Sequence, residues 1–215
     1  MIIPVMKYST LIVIFGAILW TAPGSATPDA AIPTLPHPYY LAQPDSAPTR
    51  LLALVEIPAG SFTKYELDKR TGHVVVDRFL TTPTAYPANY GSLPSIFAED
   101  GDPVDILIFT RTPVAPGALI EVRPIGSLRM RDRGEADDKI IAVPADDVDP
   151  FYRAVRDIKD LPAEARAGIE AFFRNYKSND PADRRVTTHG FVGEKTTLEE
   201  LKRYLGHIPP SEATQ

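Results

Sequence analysis

The sequence predicts a β-rich α+β fold built on a small closed barrel. Short strand patterns broken by Pro and Gly come first, helical periodicity appears only late, and no alternation of strand and helix joins them. The strand patterns cover Leu51–Ile57, Lys64–Asp68, His73–Phe79, Asp105–Phe109, Leu119–Arg123, Ser127–Met130 and Lys139–Val143. The second and third are joined by Lys69-Arg-Thr-Gly72, a hairpin turn in which Gly supplies positive φ. Turns this close together favour antiparallel neighbours, so the expected barrel is antiparallel.

Two helices complete the expectation. Over 162–177, Ala165, Ile169, Phe172, Phe173 and Tyr176 share one stripe at helical spacing, and Pro162 falls near the first turn, where a missing N–H costs nothing. A second helix is expected to start at Thr197, capped by its hydroxyl with Glu200 answering three residues on. It would end at Gly206 after Leu198, Leu201 and Leu205 have formed its apolar face.

Ahead of the domain the composition changes. Residues 1–26 hold Lys7, the apolar run Leu11–Trp20 and the small-residue stretch Ala22-Pro-Gly-Ser-Ala26, the pattern of a cleaved secretory signal. The run is shorter than the roughly 20 apolar residues of a spanning helix. The expected address is therefore periplasmic or secreted, with no stable membrane insertion after cleavage. Residues 27–49 are rich in Pro and should form an extended arm or linker, residues 50–208 the folded domain, and 209–215 a tail.

Bulk chemistry narrows the function. A net charge of −5 argues against nucleic acid as a partner, because a polyanion needs a surplus of Lys and Arg on the binding face. The absence of Cys removes disulfides, thiolate zinc sites and cysteine nucleophiles. The histidines His37, His73, His189 and His207 are too scattered to pair as ligands on a helix.

The stretch Glu99-Asp-Gly-Asp-Pro-Val-Asp105 crowds carboxylates around a Gly and a Pro that bend the chain. It reads either as an exposed Asp-Gly turn or as a site where a hard divalent cation relieves the repulsion. Arg131-Asp-Arg-Gly-Glu-Ala-Asp-Asp-Lys139 is a second acidic loop, a solvated hairpin tip unless it converges with the first. Cations at Lys64, Arg78, Lys139 and Lys177 are interleaved with them.

Residue types and order then point further. Lys64-Tyr-Glu-Leu-Asp68, Val76-Asp-Arg-Phe79, Tyr86-Pro-Ala-Asn-Tyr-Gly91, Asp100-Gly-Asp-Pro-Val-Asp105, Arg123-Pro-Ile-Gly126, Asp137-Asp-Lys139 and Asn175-Tyr-Lys177 closely resemble the soluble family I inorganic pyrophosphatases. The resemblance runs from about Glu56 to Lys177. It implies a five-stranded OB-like barrel with helices packed on it, and hydrolysis of pyrophosphate to two phosphates. It further implies several Mg²⁺ ions, with Mn²⁺, Zn²⁺ or Co²⁺ able to stand in, and a homo-oligomer, commonly a hexamer in bacterial members.

By the same resemblance Asp100, Asp102, Asp105, Asp132 and Asp137 would hold the metal, with Glu66 and Glu56 at the edge of the cluster. Asp102 would orient the attacking water or take its proton. Lys64, Arg78, Lys139 and Lys177 would neutralise the phosphates, while Tyr90 and Tyr176 hydrogen-bond them. Tyr86 could pack instead. Arg133 departs from members that carry an acid there. The alternatives are a noncatalytic OB-type binding module, a phosphohydrolase acting on nucleotide or organic diphosphates, and an exported homologue that keeps the fold but uses its metal site for binding.

The only Trp is Trp20, inside the expected leader. Protein recovered from the exported fraction should therefore show tyrosine emission without a tryptophan band, which a fluorescence spectrum beside an intact mass will check.

Overall fold

The computed structural model describes residues 36–179 and 186–206. The leader expected over 1–26, the first part of the Pro-rich stretch and the tail at 209–215 lie outside these residues. Nine strands and two α-helices follow in order. They are β1 (Leu51–Ile57), β2 (Thr63–Leu67), β3 (Val74–Phe79), β4 (Asn89–Phe97), β5 (Pro103–Ile108), β6 (Leu119–Asp132), β7 (Glu135–Ala136), β8 (Lys139–Pro144), α1 (Ala163–Asn175), β9 (Val186–Gly193) and α2 (Glu194–Tyr204).

The strands β1, β4, β5, β8 and β6 pair in that order, and β1 pairs again with β6, which closes a five-stranded barrel. Strands β7 and β9 extend β6, whereas β2 and β3 form a separate two-stranded sheet. One expectation is corrected here. Strands β5 and β8 run parallel, Ile106 opposite Ile140, so the barrel is mixed rather than antiparallel. The long excursion through β6 and β7 lets β8 enter the sheet from the same end as β5.

Alternate residues of the strands feed two cores. Val104, Ile106 and Ile108 of β5 join Ile140 and Ala142 of β8 with Leu201 of α2. Leu107, Ile141 and Val143 instead join Ile169, Phe172, Phe173 and Tyr176 of α1. Every residue of β8 is buried, the mark of a strand covered on both faces.

Other departures from the sequence expectation have identifiable causes. Leu119–Arg123 and Ser127–Met130 are one strand, because Ile125 is accommodated as a bulge between the pairs Pro124–Ala142 and Gly126–Ile141. Strands β4 and β9 were hidden by Gly91 and Pro94 in the one and Gly190 in the other, residues that read as punctuation. Pro162 is the N-cap of α1, as its position near the helix start suggested. Helix α2 begins earlier than expected, and Thr197 lies inside it, its hydroxyl bonded back to Gly193 O at 3.1 Å. The free N–H of Glu194 is met instead by Asp157 Oδ2 at 3.0 Å, a cap supplied from another part of the chain.

Residues 36–50 follow the barrel surface. Gln43 donates to Leu52 O (2.9 Å) and Pro94 O (2.7 Å) and accepts from Leu52 N (2.8 Å), so it splices this segment to β1 and β4.

The pairing of β1 with β4 depends on Gly91. A Cβ there would stand 1.8 Å from Leu54 O and 2.9 Å from Leu54 C, both backbone atoms that cannot move alone. Gly91→Ala should cost about 3 kcal/mol or more, read as a lower midpoint in urea unfolding.

Candidate active site

Barrel register places the acidic and basic side chains at one mouth. Strand β1 carries one residue more than β4 between the pairs Val55–Gly91 and Ile57–Tyr90, and that residue is Glu56. The bulge re-aims a carboxylate that strict alternation would send elsewhere. Glu56 is only 6% exposed, and its Oε1 accepts from Ser92 Oγ (2.8 Å) and Tyr39 OH (3.3 Å). Across β4 and β5, Ser92 stands opposite Asp105.

Strand β8 starts beside it. The parallel register that pairs Ile106 with Ile140 also sets Asp105 next to Lys139, and Lys139 Nζ bonds both Asp105 and Asp137. Lys139 is 2% exposed. Burial alone would lower its proton affinity, but Asp105 and Asp137 outweigh this and hold the ammonium above the ordinary lysine range. Asp137 shifts upward because burial dominates, Lys139 opposing while Asp105 and Asp132 add to the rise.

Asp132 ends β6 and receives Lys177, which follows α1, on Oδ2. Its other oxygen, Oδ1, is buried with no hydrogen-bond partner among the described residues. Tyr176 caps the C-terminal end of α1 and stacks on Phe172 at 5.0 Å. Burial pushes its phenol up, followed by Tyr86, Asp137, Asp132 and Asp105. Tyr90 is raised well above its ordinary value by burial and then by Asp105 and Asp137. Tyr86 packs, 4.6 Å from the Phe172 ring.

The β2–β3 hairpin supplies the remaining cations. Between Lys64–Arg78 and Tyr65–Val76 the extra residue is Asp77, so a second bulge lets Asp77 share a face with Lys64 and Arg78. Lys64 Nζ bonds Glu66 and, at 2.8 Å, Asp77, while Arg78 Nη1 reaches Asp77 at 3.2 Å.

Asp100 and Asp102 stand apart from these contacts on the exposed β4–β5 turn. Gly101, at φ +83, makes that turn possible, and Asp102 N donates to Asp100 Oδ1 at 3.0 Å. The Asp102 carboxylate pairs with Lys69 of the hairpin turn. Most of the anticipated residues therefore share one mouth, but among the described residues no three carboxylates stand in position to hold a single ion. Lys139 and Lys177 lie among the acids instead. The donor set still fits a divalent cation, since hard oxygen ligands crowd together, Asp137 resists ionisation and Asp132 Oδ1 is an orphaned buried acceptor.

Asp77, Ser92, Lys69 and Tyr39 also contact the site residues. Asp77 lies within the Val76-Asp-Arg-Phe79 motif; the others give no signal in the sequence without the register and the arm.

Comparison with known proteins agrees with this architecture. A family model described as inorganic pyrophosphatase matches residues 53–208. The chain belongs to the inorganic pyrophosphatase family. The inorganic pyrophosphatase of Caulobacter vibrioides is 50% identical over 162 residues, covering 73% of this chain and 91% of that one. That of Aquifex pyrophilus is 46% identical over 156 residues, covering 73% and 88%. The crystal structure of the Thermus thermophilus inorganic pyrophosphatase superposes with a TM-score of 0.76 at 36% identity, covering 79% of this chain and 97% of that one. The pyrophosphatase fold thus extends over the barrel, the hairpin and both helices.

Glu56 gives this pyrophosphatase site a pH signature. Burial raises its carboxyl from the ordinary 4.5 to about 7, with Ser92 opposing and Asp105 adding. A raised acid is a cost to folding that is absent below 4.5 and fully present above 7. In chelator, Glu56→Gln should therefore match the parent at pH 4.5 and exceed it by about 3 kcal/mol at pH 8. Thermal melts across that range will measure the gap.

Proposed function

We propose that the protein is a divalent-metal-dependent inorganic pyrophosphatase that hydrolyses pyrophosphate to two orthophosphates. The observation that carries this reading is the meeting of acidic and basic side chains from β1, β5, β6, β8 and the end of α1 at one barrel mouth, in a chain of the inorganic pyrophosphatase family.

Pyrophosphate is small and highly charged, so its hydrolysis asks a protein for neutralisation and positioning more than for covalent chemistry. Lys64, Arg78, Lys139 and Lys177 are assigned to its phosphate oxygens. Arg78 offers a planar fork that can grip two oxygens at once, whereas the lysines act as point charges. Tyr90 and Tyr176 have phenols held protonated by their surroundings, and a protonated phenol donates a hydrogen bond without adding negative charge.

The metal ligands in this reading are Asp100, Asp102, Asp105, Asp132 and Asp137, with Glu66 and Glu56 at the rim. Mg²⁺ is the cation that suits an all-oxygen set of this kind, and when bound it supplies the charge that lets a water ionise near neutral pH. Asp102 is assigned to orienting that water or taking its proton, because a carboxylate on an exposed turn can swing toward the mouth from its pairing with Lys69. The lysines that bond Asp105, Asp137 and Asp132 are then released to bind phosphate, so each ammonium has an anionic partner both before and after substrate arrives.

The address and assembly complete the proposal. The leader pattern supports a periplasmic or secreted enzyme that scavenges phosphate. Among the described residues no helix is long and apolar enough to cross a membrane. A homo-oligomer is supported by large apolar side chains left on the surface, among them Phe62, Phe79 and Phe151, and the hexamer is the form that the family resemblance suggests.

The deciding experiment measures phosphate release from pyrophosphate and from ATP, with Mg²⁺ and with chelator. Pyrophosphate should be cleaved rapidly in Mg²⁺ and ATP hardly at all, and Asp102→Asn should lose about a hundredfold or more in kcat. Equal turnover of ATP would favour a broader nucleotide phosphohydrolase.

A further inference from the structure

We propose that Tyr39, brought in by the Pro-rich segment ahead of the barrel, is a positioning residue of the active site. It fixes Glu56 and pins the β2–β3 hairpin over the mouth.

The segment approaches through a short 3₁₀ turn, Pro38–Tyr40, whose N-cap His37 accepts from Tyr39 N at 3.2 Å. This aims the Tyr39 phenol at two places. Its hydroxyl lies 3.3 Å from Glu56 Oε1 and 3.4 Å from Leu67 O, so one group lies between the bulge of β1 and the last residue of β2. His37 Nε2 sits 3.2 Å from Asp68 O, next along the hairpin. The contact with the hairpin turn is close: a Cβ at Gly72 would meet Pro38 Cδ at 2.9 Å and His37 Cδ2 at 3.2 Å. Gln43 holds the other end of the segment to β1 and β4.

The hairpin needs such an anchor. It forms no backbone ladder with the barrel sheet, yet it carries Lys64, Glu66, Asp77 and Arg78. Glu56 needs one too, because a buried carboxylate keeps a single orientation only when its lone pairs are engaged. Ser92 and Tyr39 both take Oε1, and among the described residues Oε2 receives no donor, so the side chain is fixed by one oxygen and leaves the other for a ligand. Removing the hydroxyl should loosen the carboxylate and the hairpin together while leaving the barrel intact.

The inference rests on the pyrophosphatase reading of the mouth, and its test separates the two. Mn²⁺ binding to the substrate-free, full-length protein is titrated by the EPR signal of the free ion for the parent, Tyr39→Phe and Gln43→Ala. Hydrogen exchange of β2 and β3 is followed in the same samples. Turnover of pyrophosphate is measured against Mg²⁺ concentration, and melting midpoints are taken in chelator. In Tyr39→Phe the Mn²⁺ dissociation constant should rise about three- to tenfold, hairpin exchange should quicken, and kcat should recover at high Mg²⁺. Gln43→Ala, which touches no charged group at the mouth, should shift the same three readouts in the same direction.

Parental Mn²⁺ affinity in both variants would overturn the proposal, whether or not their melting points fall. If Tyr39→Phe does not fold, Gln43→Ala decides by the same criterion. An absence of pyrophosphate turnover in the parent would strike the pyrophosphatase reading instead, and it would be seen independently of the Mn²⁺ titration.

Discussion

Like charges cannot be gathered at one end of a small barrel without a counter-charge among them, and that constraint organises this structure. Asp105, Asp132 and Asp137 are brought together by the register of β5, β6 and β8, and Asp137 is shifted upward first by burial and then by its neighbours Asp105 and Asp132, with Lys139 opposing. Lys139 and Lys177 balance them. A lysine as buried as Lys139 would be a liability in an apolar core; here two carboxylates hold it charged. The same electrostatic tension is why the mouth mixes both signs of charge instead of gathering one.

The barrel and its hairpin solve the geometric side of this problem with irregularities. Perfect alternation would split neighbouring residues between opposite faces, and the bulges at Glu56 and Asp77 break it where chemistry is needed. The bulge at Glu56 also divides the strand between two cores. Val55 packs with the cluster that contains Leu201, and Ile57 packs with the cluster on α1. A single inserted residue therefore serves packing and site together.

Much of this was legible in the sequence, and the reasons for the rest are physical. Apolar strands such as Leu51–Ile57 and Lys139–Val143 announced themselves because they hold few turn residues. Strand β4 did not, since Gly91 is required for a close backbone approach and so looks like a break. Thr197 and Glu200 mimic a capping box inside a helix whose true cap is Asp157, and no local pattern can reveal a partner 37 residues away. The motif residues around Asp105, Asp137 and Lys139 could be named from order and type. Their pairing depended on the parallel alignment of β5 and β8, which local alternation does not encode. Tyr39 was invisible for a different reason: a Pro-rich stretch advertises what it does not form, not what it touches.

Closure of the barrel by β1 and β6 has a kinetic side. Leu51 pairs with Val122 and Leu54 with Leu119, so the two strands meet only after a long stretch of chain has been organised between them. The parallel contact of β5 with β8 is likewise non-local. Such contacts exact their loop-closure entropy before they return any stabilisation, which places this topology among slower, more cooperative folders. In the unfolded chain the acids and lysines of the mouth are scattered and hydrated, and they meet only where β5, β6 and β8 have paired. The mouth is thus assembled from non-local pairings, and its appearance would report the joining of distant segments rather than the formation of any one of them.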